Sequence, residues 1–283
     1  MESQCTGEGL ERSGLTGTAQ QLVCYCPDPK ALFETALRHR QKFQAASPFS
    51  HVVVDGLFPD RVLLSLLDEI PSRKDQQWTR WGSGSRSEDS DTSVKMGMSR
   101  EALVGPVTRN FMLQLNSALF LQFLSVLSGA PPNSLIGDPT FAGGGLHSTG
   151  SGGRLLVHTD TERHPLGKPF CQSLNIIVYL NRDWPDDYGG HLELWSRDGS
   201  QCVQRIAPLF NRTVIFESGT NTYHGHPRPL ACPPGRSRIS LAAYYYRLNR
   251  PIDANYTEFQ TRVGWIHDGP PGSTTEGRDP GPS

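Results

Sequence analysis

Between residues 154 and 248 the chain consists of short apolar segments separated by turn-forming residues, and this pattern constrains the fold more than any other feature. The segments are rich in Val, Ile, Leu and Tyr, and Gly, Asn, Asp and Pro stand between them. Such a pattern is typical of successive β-strands. We therefore expect a β-sheet domain in which several histidines and a carboxylate lie at strand ends.

A His-x-Asp pair, His158 and Asp160, lies at the end of the first of these segments. Residues two apart on a strand point to the same side, so both side chains can reach one point while Thr159 faces away. A remote histidine, His224, would complete a set of two imidazoles and one carboxylate on one face of a metal ion. That arrangement leaves three coordination positions open and suits ferrous iron that binds a cosubstrate and dioxygen together.

Two other interpretations apply to the same residues. A His-x-Asp pair is common by chance, and a single histidine is usually a surface or satisfied core residue. A structural zinc site would be closed by four protein ligands, usually including cysteines. Arg238 favours the functional interpretation because it begins the apolar run 238–246, where a charged side chain needs an anion to meet it. Its planar guanidinium matches a carboxylate bidentately, which lysine does less well.

The order of these motifs resembles that of the iron(II)/2-oxoglutarate dioxygenases, specifically their prolyl 4-hydroxylase-like branch. The motifs are His-x-Asp, then Tyr-Leu-Asn-Arg-Asp-Trp at 179–184 followed by Gly-Gly, then a histidine, and finally an arginine before a Tyr-rich strand. The stretch 177–184 is most similar to the corresponding strand of the hypoxia-inducible-factor prolyl hydroxylases and their bacterial relatives. The similarity extends from Phe141 to Arg250 and, more weakly, back to Ser47.

This resemblance implies a role for each matching residue. His158, Asp160 and His224 would be the iron ligands and the catalytic residues. Arg238 would bind the far carboxylate of 2-oxoglutarate, with the Tyr179 hydroxyl as a second donor. His147 stands roughly where the prolyl hydroxylases have a tyrosine that contacts this cosubstrate, so it is assigned to the same group.

Two neighbouring residues compete for these roles. His226 lies two residues after His224, and Arg236 lies two residues before Arg238. Because a spacing of two keeps side chains on the same side of a strand, alternation excludes neither of them. The family pattern favours His224, which precedes a glycine, and Arg238, which directly precedes the apolar strand.

The resemblance further implies an enzyme that needs Fe(II), 2-oxoglutarate and O2, with ascorbate as a reductant. It would couple decarboxylation of 2-oxoglutarate to succinate with hydroxylation of an unactivated C–H bond. Halogenating relatives replace the carboxylate ligand with a small residue, so the retained Asp160 favours hydroxylation. The alternatives are oxidative desaturation or cyclisation, and a non-catalytic metal-binding or ligand-binding barrel.

The substrate is less well defined than the reaction. Cys171, Gln172 and Ser173 stand where relatives often have basic residues, just before the Leu-Asn of the central strand. A changed pocket wall would mean a changed substrate, so a peptide, another amino-acid residue or a small natural product all remain open.

The fold implied by the resemblance is mostly β with supporting helices. Its core would be a double-stranded β-helix, or jelly-roll, of two packed antiparallel sheets with the iron at the open end. Strands are expected at 154–159, 173–181, 190–195, 201–206, 212–217, 222–226 and 237–247. We expect one domain over 21–265, with helical support packed on the sheet at 28–135 and the core at 137–248, between disordered ends at 1–20 and 266–283.

The region before the core is predicted from its own periodicity. Apolar spacing predicts helices at about 28–46 and 59–69, with a short strand at 51–54 between them, and two further helices between 100 and 128. From Ser72 to Arg100 the periodicity is lost. This stretch is first interpreted as a solvated loop. The alternative is a mobile flap over the iron, for which the argument is its large or reactive side chains, Trp78, Trp81, Lys95 and Met96.

Charge and hydropathy limit the partners. Lys plus Arg number 27 and Asp plus Glu number 28, so the formal net charge of −1 gives no electrostatic sign of nucleic-acid or membrane-surface binding. The first twenty residues contain no apolar run typical of a signal peptide, and no stretch has the length that crosses a bilayer. We expect a cytoplasmic protein whose partner is a small-molecule or peptide substrate, with neither nucleic acid nor membrane.

Overall fold

The structure, a computed structural model, describes residues 25–81, 95–160 and 170–248 of the 283-residue chain. The predicted disordered ends, at 1–20 and 266–283, lie outside the described residues, as do both extremes of the predicted domain. Every residue with a predicted site role lies inside the described ranges.

The described part of the chain contains four α-helices: α1 (Pro29–Gln44), α2 (Asp60–Asp68), α3 (Pro106–Leu115) and α4 (Ala118–Ser128). A 3-10 turn at Glu101–Leu103 precedes α3. The Asp28 side chain caps α1 by accepting a hydrogen bond from the Lys30 N–H at 3.1 Å, and α4 ends at Gly129, whose φ is 78°. The helices predicted at 28–46 and 59–69, and the pair between 100 and 128, are confirmed.

None of these helices is long and apolar enough by itself to cross a membrane. The pair α3 and α4 reaches the required length and composition only when both are counted together across a bend of 47°.

The strands form two antiparallel sheets. The larger, eight-stranded sheet has the order β1-β10-β7-β12-β5-β3-β2, with β4 also paired to β12, and the smaller has the order β6-β11-β8-β9. The strands are β1 (His51–Asp55), β2 (Thr79–Trp81), β3 (Lys95–Met98), β4 (Leu135–Gly137), β5 (Gly145–Gly150), β6 (Leu155–His158), β7 (Phe170–Tyr179), β8 (Leu192–Trp195), β9 (Cys202–Ile206), β10 (Arg212–Glu217), β11 (His224–His226) and β12 (Ser237–Leu248). The predicted fold, mostly β with a double-stranded β-helix core and supporting helices, is confirmed.

The core has two main parts on either side of the larger sheet. Aromatic and aliphatic side chains of α1 to α4, including Phe111 and Phe120, pack against one face of it. Tyr179, Val214 and Phe216 on its other face pack against Leu192 and Leu194 of the smaller sheet. This sandwich fixes β6 and β11 opposite β7 and β12, so the polar ends of those four strands face each other.

Four strands of the larger sheet were not predicted from the sequence. β2 and β3 lie between Ser72 and Arg100, where no strand was predicted, and Trp78 and Met96 are buried core residues there. β4 and β5 were also missed. All six residues of β5, GLHSTG, are buried between β12 and β3, so its sequence lacks the alternation of a strand with one exposed face. The predicted flap concerns a stretch whose middle, 82–94, lies outside the described residues.

Candidate active site

Three metal-ligating side chains meet at one end of the smaller sheet. His158 ends β6, and His224, which begins β11, stands directly opposite it in the strand pairing. Nε2 of His158 lies 3.4 Å from Oδ1 of Asp160, and Nε2 of His224 lies 3.3 Å from Oδ2. One ligand atom of each residue lies within 4.8 Å of the other two. The three side chains can therefore reach a single ion.

Backbone carbonyls orient both imidazole rings. Nδ1 of His158 donates a hydrogen bond to the Leu156 carbonyl at 2.8 Å, and Nδ1 of His224 donates one to the Thr222 carbonyl at 3.0 Å. Because a carbonyl oxygen only accepts, each Nδ1 carries a proton, and Nε2, the atom that faces Asp160, is the ring atom that can bind a metal. Metal-binding histidines are commonly held in this way.

The surroundings of Asp160 keep its carboxyl charged. Burial raises the pKa of this group, but the neighbouring His224 and His158 imidazoles outweigh burial and hold the pKa well below its ordinary value. Oδ2 of Asp160 also accepts a hydrogen bond from Nδ2 of Asn175 at 2.7 Å. Asn175 is oriented in turn by Gln172, whose Nε2 donates to its Oδ1 at 2.5 Å.

Arg238 lies on β12 and is fixed by two contacts. Its Nε donates to the Gly190 carbonyl at 2.7 Å, and its Nη2 donates to the Tyr179 hydroxyl at 3.0 Å. Gly190 has a φ of +74°, and a β-carbon built there would lie 2.9 Å from Cδ of Arg238. The second glycine of the Gly-Gly motif is thus needed for the backbone to approach the guanidinium.

The Arg238 guanidinium is buried, and no described residue compensates its charge with a carboxylate. The residue is 6% exposed, and burial lowers the pKa of the guanidinium. Among the residues that the structure describes, no carboxylate forms an ion pair with it; its partners are a carbonyl and a phenol. Burial also raises the pKa of Tyr179, which is 0% exposed, so its hydroxyl keeps its proton. A buried cation in this situation is suited to binding an anion.

His147 lies on β5, opposite Ser240 of β12 in the pairing, and is buried. Its Nε2 donates to the Gly143 carbonyl at 3.1 Å. Burial first, and then the charge of Lys95, hold the pKa of this imidazole well below its ordinary value. His147 is therefore a neutral ring whose N–H is already used by the backbone.

The structure distinguishes the two competing pairs. His224 belongs to the metal-ligating cluster and His226 does not, although both are buried. Arg236 lies away from the cluster: its guanidinium stacks on Trp184 and Tyr188, with 5.7 and 5.5 Å to the ring centres, and Nη2 donates to the Arg182 carbonyl at 2.6 Å.

A cavity between the sheets joins these groups. It is lined by His158, Asp160 and His224 at one side and by Arg238 and His147 at another, and Lys95, Asn175, His226 and Tyr244 also face it. Asn175 has no predicted site role, and Lys95 is predicted only as part of a flap. Alternation on β7 was the signal for Asn175, because it lies four residues before Tyr179 and two before Ile177, which also lines the cavity.

The residues present fit the iron and the cosubstrate that the resemblance implies. Two imidazole nitrogens and one carboxylate on one side of the cavity are the donor set typical of a ferrous site with open positions. The Arg238 guanidinium lies in the same cavity with no carboxylate partner in the described part of the chain, and it fits the far carboxylate of 2-oxoglutarate.

Residues 144–246 match the sequence model of the 2OG-Fe(II) oxygenase superfamily. A comparison with curated protein sequences gives no match. Similar solved structures include a prolyl 4-hydroxylase from Pseudomonas putida, with 16% identity, 76% of this chain and 100% of that chain covered, and a TM-score of 0.49. A prolyl hydroxylase from Trichoplax adhaerens, solved with a hypoxia-inducible-factor peptide, has 14% identity and a TM-score of 0.49; the match covers 77% of this chain and 91% of that chain. HygX from Streptomyces hygroscopicus, solved with nickel, 2-oxoglutarate and hygromycin B, has 12% identity and a TM-score of 0.46; the match covers 75% of this chain and 88% of that chain.

The segment from 144 to 246, which contains all six predicted site residues, is thus an oxygenase domain on a double-stranded β-helix. The match covers residues 144–246, and this domain is of the 2-oxoglutarate-dependent oxygenase type, with Fe(II) as the metal and 2-oxoglutarate as the cosubstrate that its residues fit.

Proposed function

We propose that the chain hydroxylates an unactivated C–H bond of an amino-acid residue, a peptide or a small natural product, on a scaffold like that of the prolyl 4-hydroxylases. The buried Arg238 guanidinium is the observation that carries this proposal. It has no carboxylate partner among the described residues and shares a cavity with His158, Asp160 and His224. A buried, uncompensated cation beside a metal-ligating set supports a dicarboxylate as the ligand between them.

Each site residue then has one task. His158, Asp160 and His224 would hold Fe(II) from one side and leave the opposite positions open. Arg238 would bind the far carboxylate of 2-oxoglutarate through the N–H groups that Gly190 and Tyr179 do not use. Tyr179 accepts from Arg238, so its own O–H remains available for the same carboxylate.

The rest of the cavity would place the reactants and exclude water. Arg238 and His224 are 6% and 4% exposed, and in such surroundings the attraction between a guanidinium and a carboxylate is stronger than in water. His147 would border the cosubstrate from β5. Bound Fe(II) and 2-oxoglutarate supply the oxidative chemistry that gives succinate and delivers oxygen to the substrate.

Succinate release from 2-oxoglutarate, with Fe(II) under air, tests the proposal. The wild type is compared with Asp160→Ala on proline-containing peptides, free amino acids and small natural products. A product heavier by one oxygen supports hydroxylation, whereas loss of two hydrogens indicates desaturation or cyclisation. No succinate with any candidate, even in the uncoupled reaction, would instead favour a non-catalytic binding barrel.

A further inference from the structure

His226 is a buried histidine of the cavity to which the proposed metal site gives no task. The residue is 4% exposed and faces the cavity that Arg238 and His224 also line. Its Nδ1 is buried, and no described residue forms a hydrogen bond with it. In each of the other three cavity histidines, His147, His158 and His224, one ring nitrogen donates to a backbone carbonyl.

The strand geometry explains why both histidines of the His-Gly-His motif face the cavity. β11 pairs with β6 so that His224 is opposite His158 and His226 is opposite Leu155, with a register shift between them. A β-carbon at Gly225 would lie 2.8 Å from the Leu156 carbonyl and 2.9 Å from that of Leu155. The middle residue therefore packs its backbone on β6, and the imidazoles on either side of it project to the opposite face.

An unpartnered polar nitrogen in a buried position is unfavourable unless a ligand completes its hydrogen bonds. Here the other cavity walls supply positive charge, from Arg238 on β12 and Lys95 on β3. An anion attracted to that charge would meet the imidazole of His226 as well. His147 is a weaker donor candidate, because its N–H is already directed to the Gly143 carbonyl.

We propose that His226 is a binding residue for the cosubstrate and donates a hydrogen bond from Nδ1 to the carboxylate that Arg238 holds. This inference rests on the proposed function, because it takes 2-oxoglutarate to be the anion. His226 would then complete a donor set from both sheets, with Arg238 and Tyr179 on the larger sheet and His226 on the smaller.

Calorimetric titration of 2-oxoglutarate into the Fe(II)-loaded protein without oxygen tests this role. His226→Leu removes the ring nitrogens at similar size, and His226→Asn keeps an N–H near the position of Nδ1.

We expect His226→Leu to raise the Kd for 2-oxoglutarate about tenfold or more, since a charge-assisted hydrogen bond is lost. His226→Asn should bring the Kd back to within about threefold of wild type, and the Fe(II) affinity should be unchanged in both variants. His51→Leu, at a buried histidine on β1, is the matched control.

Binding of 2-oxoglutarate by the Arg238 and His226 variants shows whether the role of His226 alone, or the proposed function as a whole, is refuted. If Arg238→Gln binds 2-oxoglutarate as wild type does, the proposed function fails. If Arg238→Gln weakens binding and His226→Leu does not, only the role of His226 is refuted. The role is also refuted if His226→Leu loses Fe(II), if His226→Asn is no better than His226→Leu, or if His51→Leu has the same effect.

Discussion

Asn175 donates a hydrogen bond from Nδ2 to Oδ2 of Asp160 at 2.7 Å, and this contact connects the larger sheet to the metal-ligating cluster on the smaller one. The direction of the amide is set by Gln172, which donates to its oxygen. Oδ2 is also the oxygen that faces Nε2 of His224 at 3.3 Å. Asn175 therefore stabilises the charged carboxylate and limits its rotation at the point where it would bind the metal.

Asn175→Leu should weaken Fe(II) binding by about 10- to 100-fold, the range typical of losing a hydrogen-bond partner of a metal ligand. Leucine has nearly the same size, so the change removes the donor with little change in packing. Anaerobic Fe(II) titration measures the effect. Asn221→Leu, at an exposed turn before β11, is the control, and equal Fe(II) affinity in the two variants would show that Asn175 does not support the ligand.

Arg238→Gln should raise the KM for 2-oxoglutarate by about a hundredfold, because a buried partner of a carboxylate is lost. Fe(II) affinity should stay close to wild type, since the hydrogen bonds of Arg238 go to Gly190 and Tyr179 and not to the three candidate ligands. Arg236→Gln is the matched control two residues away. Arg236 stacks on Trp184 and Tyr188 outside the cavity, so its change should move the KM less than about twofold. The reverse order of effects would assign the cosubstrate contact to Arg236.

His224→Ala should lower Fe(II) affinity by more than about 100-fold, because the loss of a ligand exceeds the loss of a ligand's hydrogen-bond partner. His226→Ala should leave Fe(II) affinity within about threefold of wild type, since the ring of His226 is not part of the cluster that surrounds Asp160. Equilibrium dialysis against Fe(II) without oxygen, before any turnover, measures both. A large loss with His226→Ala and a small one with His224→Ala would move the metal ligand by two residues.

The candidate ligand set could be predicted from the sequence because two-residue spacing puts His158 and Asp160 on one side of a strand end, and the family resemblance indicated the remote His224. Two-residue spacing could not distinguish His224 from His226 as the metal ligand, because it keeps both side chains on the same side of the strand. His224 and His226 both face the cavity, as the spacing requires. They differ at Nδ1, which contacts the Thr222 carbonyl in His224 and has no hydrogen-bond partner among the described residues in His226. Those contacts depend on turn geometry that has no signature in the residue types.

The missed strands have a different cause. β3 and β5 pair with each other inside the larger sheet, and both carry glycine and polar residues where an exposed strand would alternate. Their burial comes from long-range pairing, in which His147 of β5 lies opposite Ser240 of β12, far later in the chain. Secondary structure predicted from neighbouring residues alone therefore shows a glycine-rich loop here, although this strand places His147 at the cavity.

Asp55→Asn tests how the edge of the larger sheet responds to pH. Asp55 on β1 stands opposite Arg212 on β10, and both of its carboxylate oxygens accept from the guanidinium at 2.7 Å. These hydrogen bonds are the main reason that the pKa of Asp55 is lowered from its ordinary value of 3.8. A lowered pKa in the folded state gives stability that is present above pH 3.8 and is lost as the pH falls through the folded-state value.

The Asp55 side chain is 62% exposed, so solvent screens the pair, and the loss in Asp55→Asn at pH 7 should not exceed about 1 kcal/mol. Urea unfolding of the metal-free protein from pH 7 down to pH 3 measures it, with Asp68→Asn, at an exposed position on α2, as the control. The difference between wild type and Asp55→Asn should shrink as the pH falls below 3.8 and should also shrink in high salt at neutral pH. A difference that is constant over this pH range would mean that Asp55 acts through packing on β1 and not through its charge.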